Sequence, residues 1–132
     1  MNYEMYLAIA TEAHAGQTRR GGAPYIEHPI RVAEFFESDA SRTVAVLHDV
    51  LEDTPLTGRD LLNKGVDPAT VSAVESLTHL RTQPYAEYIE LISDFPFSTR
   101  IKVADILDNL MDNPTKNQKK KYKEALKVLL EL

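Results

Sequence analysis

No stretch of this chain longer than a few residues alternates apolar and polar side chains, whereas apolar residues recur three and four apart along most of it. That spacing puts them on one face of a helix, so an all-α fold is expected. Proline, glycine and capping residues cut the pattern into about seven or eight helices of a compact bundle. The first is expected from Asn2 to about Gly16, with Tyr3, Tyr6, Leu7, Ile9, Ala10 and Ala13 inward. His28-Pro29 opens a second, which buries Ile30, Val32, Ala33, Phe35 and Phe36. Ser41 or Asp39 caps a third that runs through the apolar segment Thr43 to Leu47 and stops before Pro55. Thr57 caps a short helix ended by Gly65, and Asp67-Pro68 begins another that reaches about Leu80. Pro84 sets off a helix from Tyr85 to Ser93, Ser98 caps an apolar one, and Asn113-Pro114 separates that from a last amphipathic helix, Lys116 to Leu132.

With 132 residues and no repeat or linker, the chain is expected to form one domain, 1–132, that buries roughly two-thirds of the surface its unfolded form exposes. It has no cysteine, which removes disulfides, thiolate metal sites and cysteine nucleophiles and fits a reducing cytoplasm. The first twenty residues include Glu4, Glu12 and His14 and no unbroken apolar run, so neither a signal peptide nor a spanning helix is expected there. A formal charge of −5 argues against nucleic acid as a partner and, with no apolar span, against a membrane. An anionic small molecule needs local positive charge, which Arg19-Arg20, Arg100 with Lys102, and the run from Lys116 to Lys123 offer. The last of these reads more simply as a solvated helix face.

Chemistry concentrates in His48-Asp49-Val50-Leu51-Glu52-Asp53. On a continuous helix Glu52 would lie over His48 and Asp53 over Asp49, which gathers four polar side chains on one patch beside an apolar core. Buried carboxylates need a compensating cation. Asp105 poses the same question, since it sits among Ile101, Val103, Ala104, Ile106 and Leu107 with Asn109 one turn on. An ion pair with Lys102 or Arg100 is the simpler account of Asp105, and a satisfied core histidine is the simpler account of His48 alone. Together with His28 at the start of another helix, however, the chain offers two imidazoles and two carboxylates, a set suited to one divalent ion. Manganese, iron, cobalt and zinc all accept such donors, and Mn2+ is favoured. Such an ion lowers the pKa of bound water from 15.7 to about 7 and polarises a phosphoryl oxygen. Glu52 and Asp53 would position that water and move its proton as catalytic groups. His14 and His79 form no paired motif, and His14 is expected to orient a loop or line the pocket.

Four ordered blocks carry a resemblance: His14-Ala-Gly-Gln17-Thr-Arg19-Arg20, Pro24-Tyr25-Ile26-Glu27-His28-Pro29, Leu47-His48-Asp49 through Glu52-Asp53-Thr54, and Lys102-Val-Ala-Asp105 through Asp108-Asn109-Leu110. In these the chain resembles the HD-domain phosphohydrolases, and within them the stand-alone alarmone hydrolases of the RelA/SpoT group. The resemblance implies that His28, His48, Asp49 and Asp105 hold one Mn2+ and that Glu52 and Asp53 serve the water. It also implies that a guanine-type base stacks on Arg19 with Arg20 near the phosphates, while Asn109 and Tyr122 contact the sugar-phosphate. The implied reaction removes the 3′-pyrophosphate of ppGpp or pppGpp, a small nucleotide substrate, and releases pyrophosphate with GDP or GTP. Two features depart from the family pattern. The loop from Gln17 to His28 is shorter, and the chain ends at Leu132 soon after Tyr122, so a homo-oligomer that supplies part of the substrate wall fits.

Two other readings remain open on the residues. One is an enzyme that removes a phosphate from another nucleotide, such as NADPH or a 3′-phosphonucleotide. The other is a nucleotide sensor that binds through Arg19 and Asn109 without turnover, for which Glu52 and Asp53 beside a full ligand set would have no use.

Overall fold

A computed structural model describes residues 3–131. Nine helices follow one another among them: α1 (Tyr3–Ala13), α2 (Glu27–Glu34), α3 (Asp39–Leu47), α4 (Val50–Asp53), α5 (Gly58–Asn63), α6 (Pro68–Ser76), α7 (Tyr85–Ser93), α8 (Pro96–Leu110) and α9 (Lys116–Leu129). The described residues hold no strand, only an isolated antiparallel bridge between Thr18 and Pro24. No helix among them is long and apolar enough to cross a membrane. The chain divides into two compact units, Met1–Thr78 and His79–Leu132.

The first unit is built around α3, against which α1, α2 and α6 all pack. That helix can be central because Thr43, Val44, Ala45, Val46 and Leu47 are buried in succession and present an apolar surface on every side. Around it Tyr6, Ala10, Val32, Ala33, Leu61, Val71 and Val74 complete the core. The backbone N–H of Asp67 donates to the Tyr6 hydroxyl at 2.9 Å, which ties α1 to the start of α6. In the second unit α7, α8 and α9 each pack on the other two around Tyr88, Ile89, Ile92, Ile101, Ala104, Ile106, Ala125 and Leu129.

Local chemistry sets most helix ends where the sequence puts them. Thr57 and Asp60 close a reciprocal capping box on α5, Gly65 (φ +93°) follows its end, and Asp67 accepts from Ala69 N–H ahead of Pro68. Four ends differ. The third helix divides at His48-Asp49, so α3 and α4 replace one continuous helix, and Ser38 rather than Ser41 or Asp39 caps it by accepting from Ser41 N–H. The α6 helix stops at Ser76 instead of Leu80, with the Thr78 hydroxyl folded back onto the Val74 carbonyl at 2.9 Å. Pro96 starts α8, which puts Ser98 inside the helix. Thr115, paired with Gln118 in a second capping box, starts α9. Phe35, expected inward, is 47 % exposed just past the end of α2 at Glu34. The expected ends at Asn2 and Leu132 lie outside the described residues.

Candidate metal centre

Packing of α2 on α3 brings His28 to His48 with ring centroids 5.3 Å apart, both side chains buried. His48 ends α3 and turns its Nδ1 onto the Ala45 carbonyl at 2.5 Å. A carbonyl only accepts, so Nδ1 carries a proton, and Nε2 is the ring nitrogen left to serve as a ligand. That nitrogen lies 3.0 Å from Asp49 Oδ2, and His28 Nε2 approaches the same oxygen at 3.4 Å. Ligand atoms of His28, His48 and Asp49 thus lie within 4.8 Å of one another. Two imidazole nitrogens with a carboxylate oxygen suit a borderline divalent ion. The His48 bond to backbone is the kind of outer contact that fixes a ligand's tautomer.

Asp49 occupies the turn between α3 and α4 (φ −98°, ψ −3°), and Asp53 N–H bonds back to its carbonyl at 2.9 Å. This single turn keeps Asp53 beside Asp49. The Tyr25 hydroxyl spans the two acids, 2.7 Å from Asp49 Oδ2 and 3.0 Å from Asp53 Oδ2. Partial desolvation and then the Asp49 charge raise the Asp53 pKa. Burial first, and then both acids, push the Tyr25 phenol far above its ordinary value, so it stays protonated. One phenol proton cannot satisfy two carboxylates at once, which agrees with an Asp53 that takes up a proton readily. Glu52 is exposed on α4.

The loop before α2 wraps this corner. Arg19 N–H donates to the Ala23 carbonyl and Gly22 N–H to the Arg19 carbonyl, both at 2.8 Å, and the turn requires a positive φ at Gly22 (+91°). Arg19 is thereby laid over the Tyr25 ring, 5.8 Å from its centroid, while Arg20 is exposed. Gln17 Nε2 donates to the Asp53 carbonyl at 2.9 Å, and His14 Nδ1 meets Gln17 Oε1 at 2.9 Å.

In the second unit α8 carries Asp105, buried, with Lys102 Nζ 2.8 Å from Oδ2 and Asn109 Nδ2 donating to Oδ1 at 3.3 Å. The ion pair with Lys102 that the sequence offers for Asp105 is therefore present. Burial acts to lower the Lys102 pKa, but the Asp105 charge, Tyr88, Tyr85 and the hydrogen bond to Asp105 together outweigh it and hold the ammonium well above its usual value. Tyr122 is half-buried on α9, with Lys121 Nζ 5.1 Å from its ring centroid.

A guanosine-3′,5′-bis(diphosphate) 3′-pyrophosphohydrolase of Borreliella burgdorferi is 36 % identical over 79 % of this chain and 18 % of its own length. One from Spiroplasma citri is 34 % identical over 76 % of this chain and 15 % of its own. The chain thus spans under a fifth of the length of these curated relatives. A solved structure described as a metazoan ortholog of SpoT that hydrolyses ppGpp and plays a role in starvation responses superposes with a TM-score of 0.81. It is 26 % identical, and the match covers 98 % of this chain and 83 % of that one. In sequence and in fold this chain is similar to the SpoT hydrolases. No family model matches it. His48 and Asp49 stand at the α3–α4 break, where Nε2 of one and Oδ2 of the other meet at 3.0 Å.

The structure brings His28, His48, Asp49 and Asp53 together within the first unit, and Asp105 with Asn109 within the second. Sequence reasoning passed over two residues of this site, Tyr25 and Gln17. Tyr25 stands in the turn ahead of α2, where no periodicity marks it. Tyr25→Phe removes only the hydroxyl between Asp49 and Asp53. It is expected to lower turnover or metal affinity by about 10–100-fold with little change in melting temperature, as steady-state rates, metal titration and thermal unfolding will show.

Proposed function

We propose that this chain is a cytoplasmic, divalent-metal-dependent pyrophosphohydrolase that acts on the 3′-pyrophosphate of ppGpp and pppGpp, with residues 1–132 forming one HD domain. Water adds to phosphorus, the bond from phosphorus to the departing oxygen breaks, and pyrophosphate leaves with GDP or GTP. His28, His48, Asp49 and Asp105 hold one ion, with Mn2+ the favoured metal for this donor set. When bound, the ion supplies the charge that acidifies water and polarises a phosphoryl oxygen. Glu52 and Asp53 orient the water and take its proton, and Tyr25 holds Asp53 in place. Arg19 and Arg20 receive base and phosphates, and Asn109 and Tyr122 the sugar-phosphate.

The observation that carries this reading is the convergence of His48 Nε2 and His28 Nε2 on Asp49 Oδ2, at 3.0 and 3.4 Å. The named activities of the relatives supply the substrate. To test it, the purified chain is incubated with ppGpp, NADPH and a 3′-phosphonucleotide, with manganese and with chelator, and the phosphate species are identified. Pyrophosphate from ppGpp, lost on chelation, is the expected result. Orthophosphate from NADPH instead would move the substrate to the other nucleotide class, and ppGpp binding without turnover would make the chain a sensor.

A further inference from the structure

His14 is 2 % exposed at the end of α1, and its ring lies 4.9 Å from that of Tyr25. Its tautomer can be read from its partners. Gln17 donates its amide N–H to the Asp53 carbonyl, which leaves Oε1 facing His14 Nδ1. An amide oxygen only accepts, so Nδ1 is the protonated nitrogen and Nε2 carries the lone pair. That Nε2 is buried and has no hydrogen-bond partner among the described residues. A buried acceptor left unmet is costly, so native proteins retain one where something outside the chain meets it.

The location narrows what that donor is. His14 is tied through Gln17 to the Asp53 carbonyl, and its ring lies tilted 4.9 Å from that of the tyrosine whose hydroxyl spans Asp49 and Asp53. It therefore borders the place where water meets phosphorus in the function proposed above, on which this step rests. The ionised phosphates of a guanosine 3′-pyrophosphate only accept hydrogen bonds. Its donors are the base N–H groups and the ribose 2′-hydroxyl, and the 2′-hydroxyl is the one adjacent to the reacting 3′ position. We propose that His14 Nε2 accepts a hydrogen bond from the substrate's ribose 2′-hydroxyl, and that the Gln17 bridge to Asp53 holds the imidazole in the tautomer that does so. The site would then select ribonucleotides over their 2′-deoxy counterparts.

The test compares ppGpp with its 2′-deoxy analogue on the wild-type chain and on His14→Asn. The asparagine amide can still donate to Gln17 Oε1 from the Nδ1 position but places no acceptor at Nε2. The wild type is expected to lose roughly 10–100-fold in kcat/KM on the deoxy analogue. His14→Asn should lose about the same factor on ppGpp and then show no further preference between the two, with manganese affinity unchanged. His14→Gln, which puts an amide oxygen near the Nε2 position, should keep part of the preference and serves if the asparagine variant does not fold. A wild type that treats both nucleotides alike, or a variant that keeps the full preference, would overturn the assignment. A wild type with no ppGpp turnover at all would remove the function first and this contact with it.

Discussion

Asp49→Asn is expected to abolish measurable manganese binding in calorimetric titration and to lower turnover by roughly 10³-fold or more, about 4 kcal/mol of barrier. Asparagine keeps the shape of the side chain and can still accept from the Tyr25 hydroxyl, so the loss isolates the charge. Asp49 supplies the negative charge of its cluster, since an imidazole coordinates an ion through an uncharged ring nitrogen. A divalent ion among two imidazoles and an amide loses its main electrostatic partner in the first unit. Asp105→Ala is a less clean experiment, since it also strands the Lys102 ammonium 2.8 Å away and so costs stability as well as metal. Wild-type manganese affinity in Asp49→Asn would take this residue out of the site.

Glu52→Gln combined with Asp53→Asn should give the opposite dissociation, with metal affinity near that of the wild type and turnover reduced about 10²–10⁴-fold. Both acids are exposed on α4, where water has access, and neither is among the ligand atoms gathered at His28, His48 and Asp49. The Asp53 carboxyl, raised by desolvation and by Asp49, can receive a proton and pass it on. Its amide replacement still meets the Tyr25 hydroxyl, so the folded state should be spared. Rates and a manganese titration on the same preparation check both halves, and full activity in the double variant would remove these acids from the chemistry.

The elements that were legible in the sequence are those whose ends depend on local chemistry. Asp67-Pro68, the Thr57 cap and Pro84 act through bonds and dihedrals within a few residues, and α6, α5 and α7 begin where they put them. The break at His48-Asp49 was not legible, because Thr43 to Leu47 is helical in pattern and the interruption comes from His48 folding its ring back onto Ala45. The start of α8 misled for a related reason: Ser98 is a good cap by type, but Pro96 fixes the first turn two residues earlier. Of the site, the histidines and acids could be picked out by residue type. The parts of Tyr25 and Gln17 could not, since both depend on the loop from Gln17 to His28 folding over Asp53, which no periodicity encodes.

Anomalous diffraction from crystals grown with manganese tests the central claim most directly. The predicted result is one strong peak within coordination distance of His28, His48, Asp49 and Asp105. A map with no peak there, or with the ion held by other side chains, would contradict it.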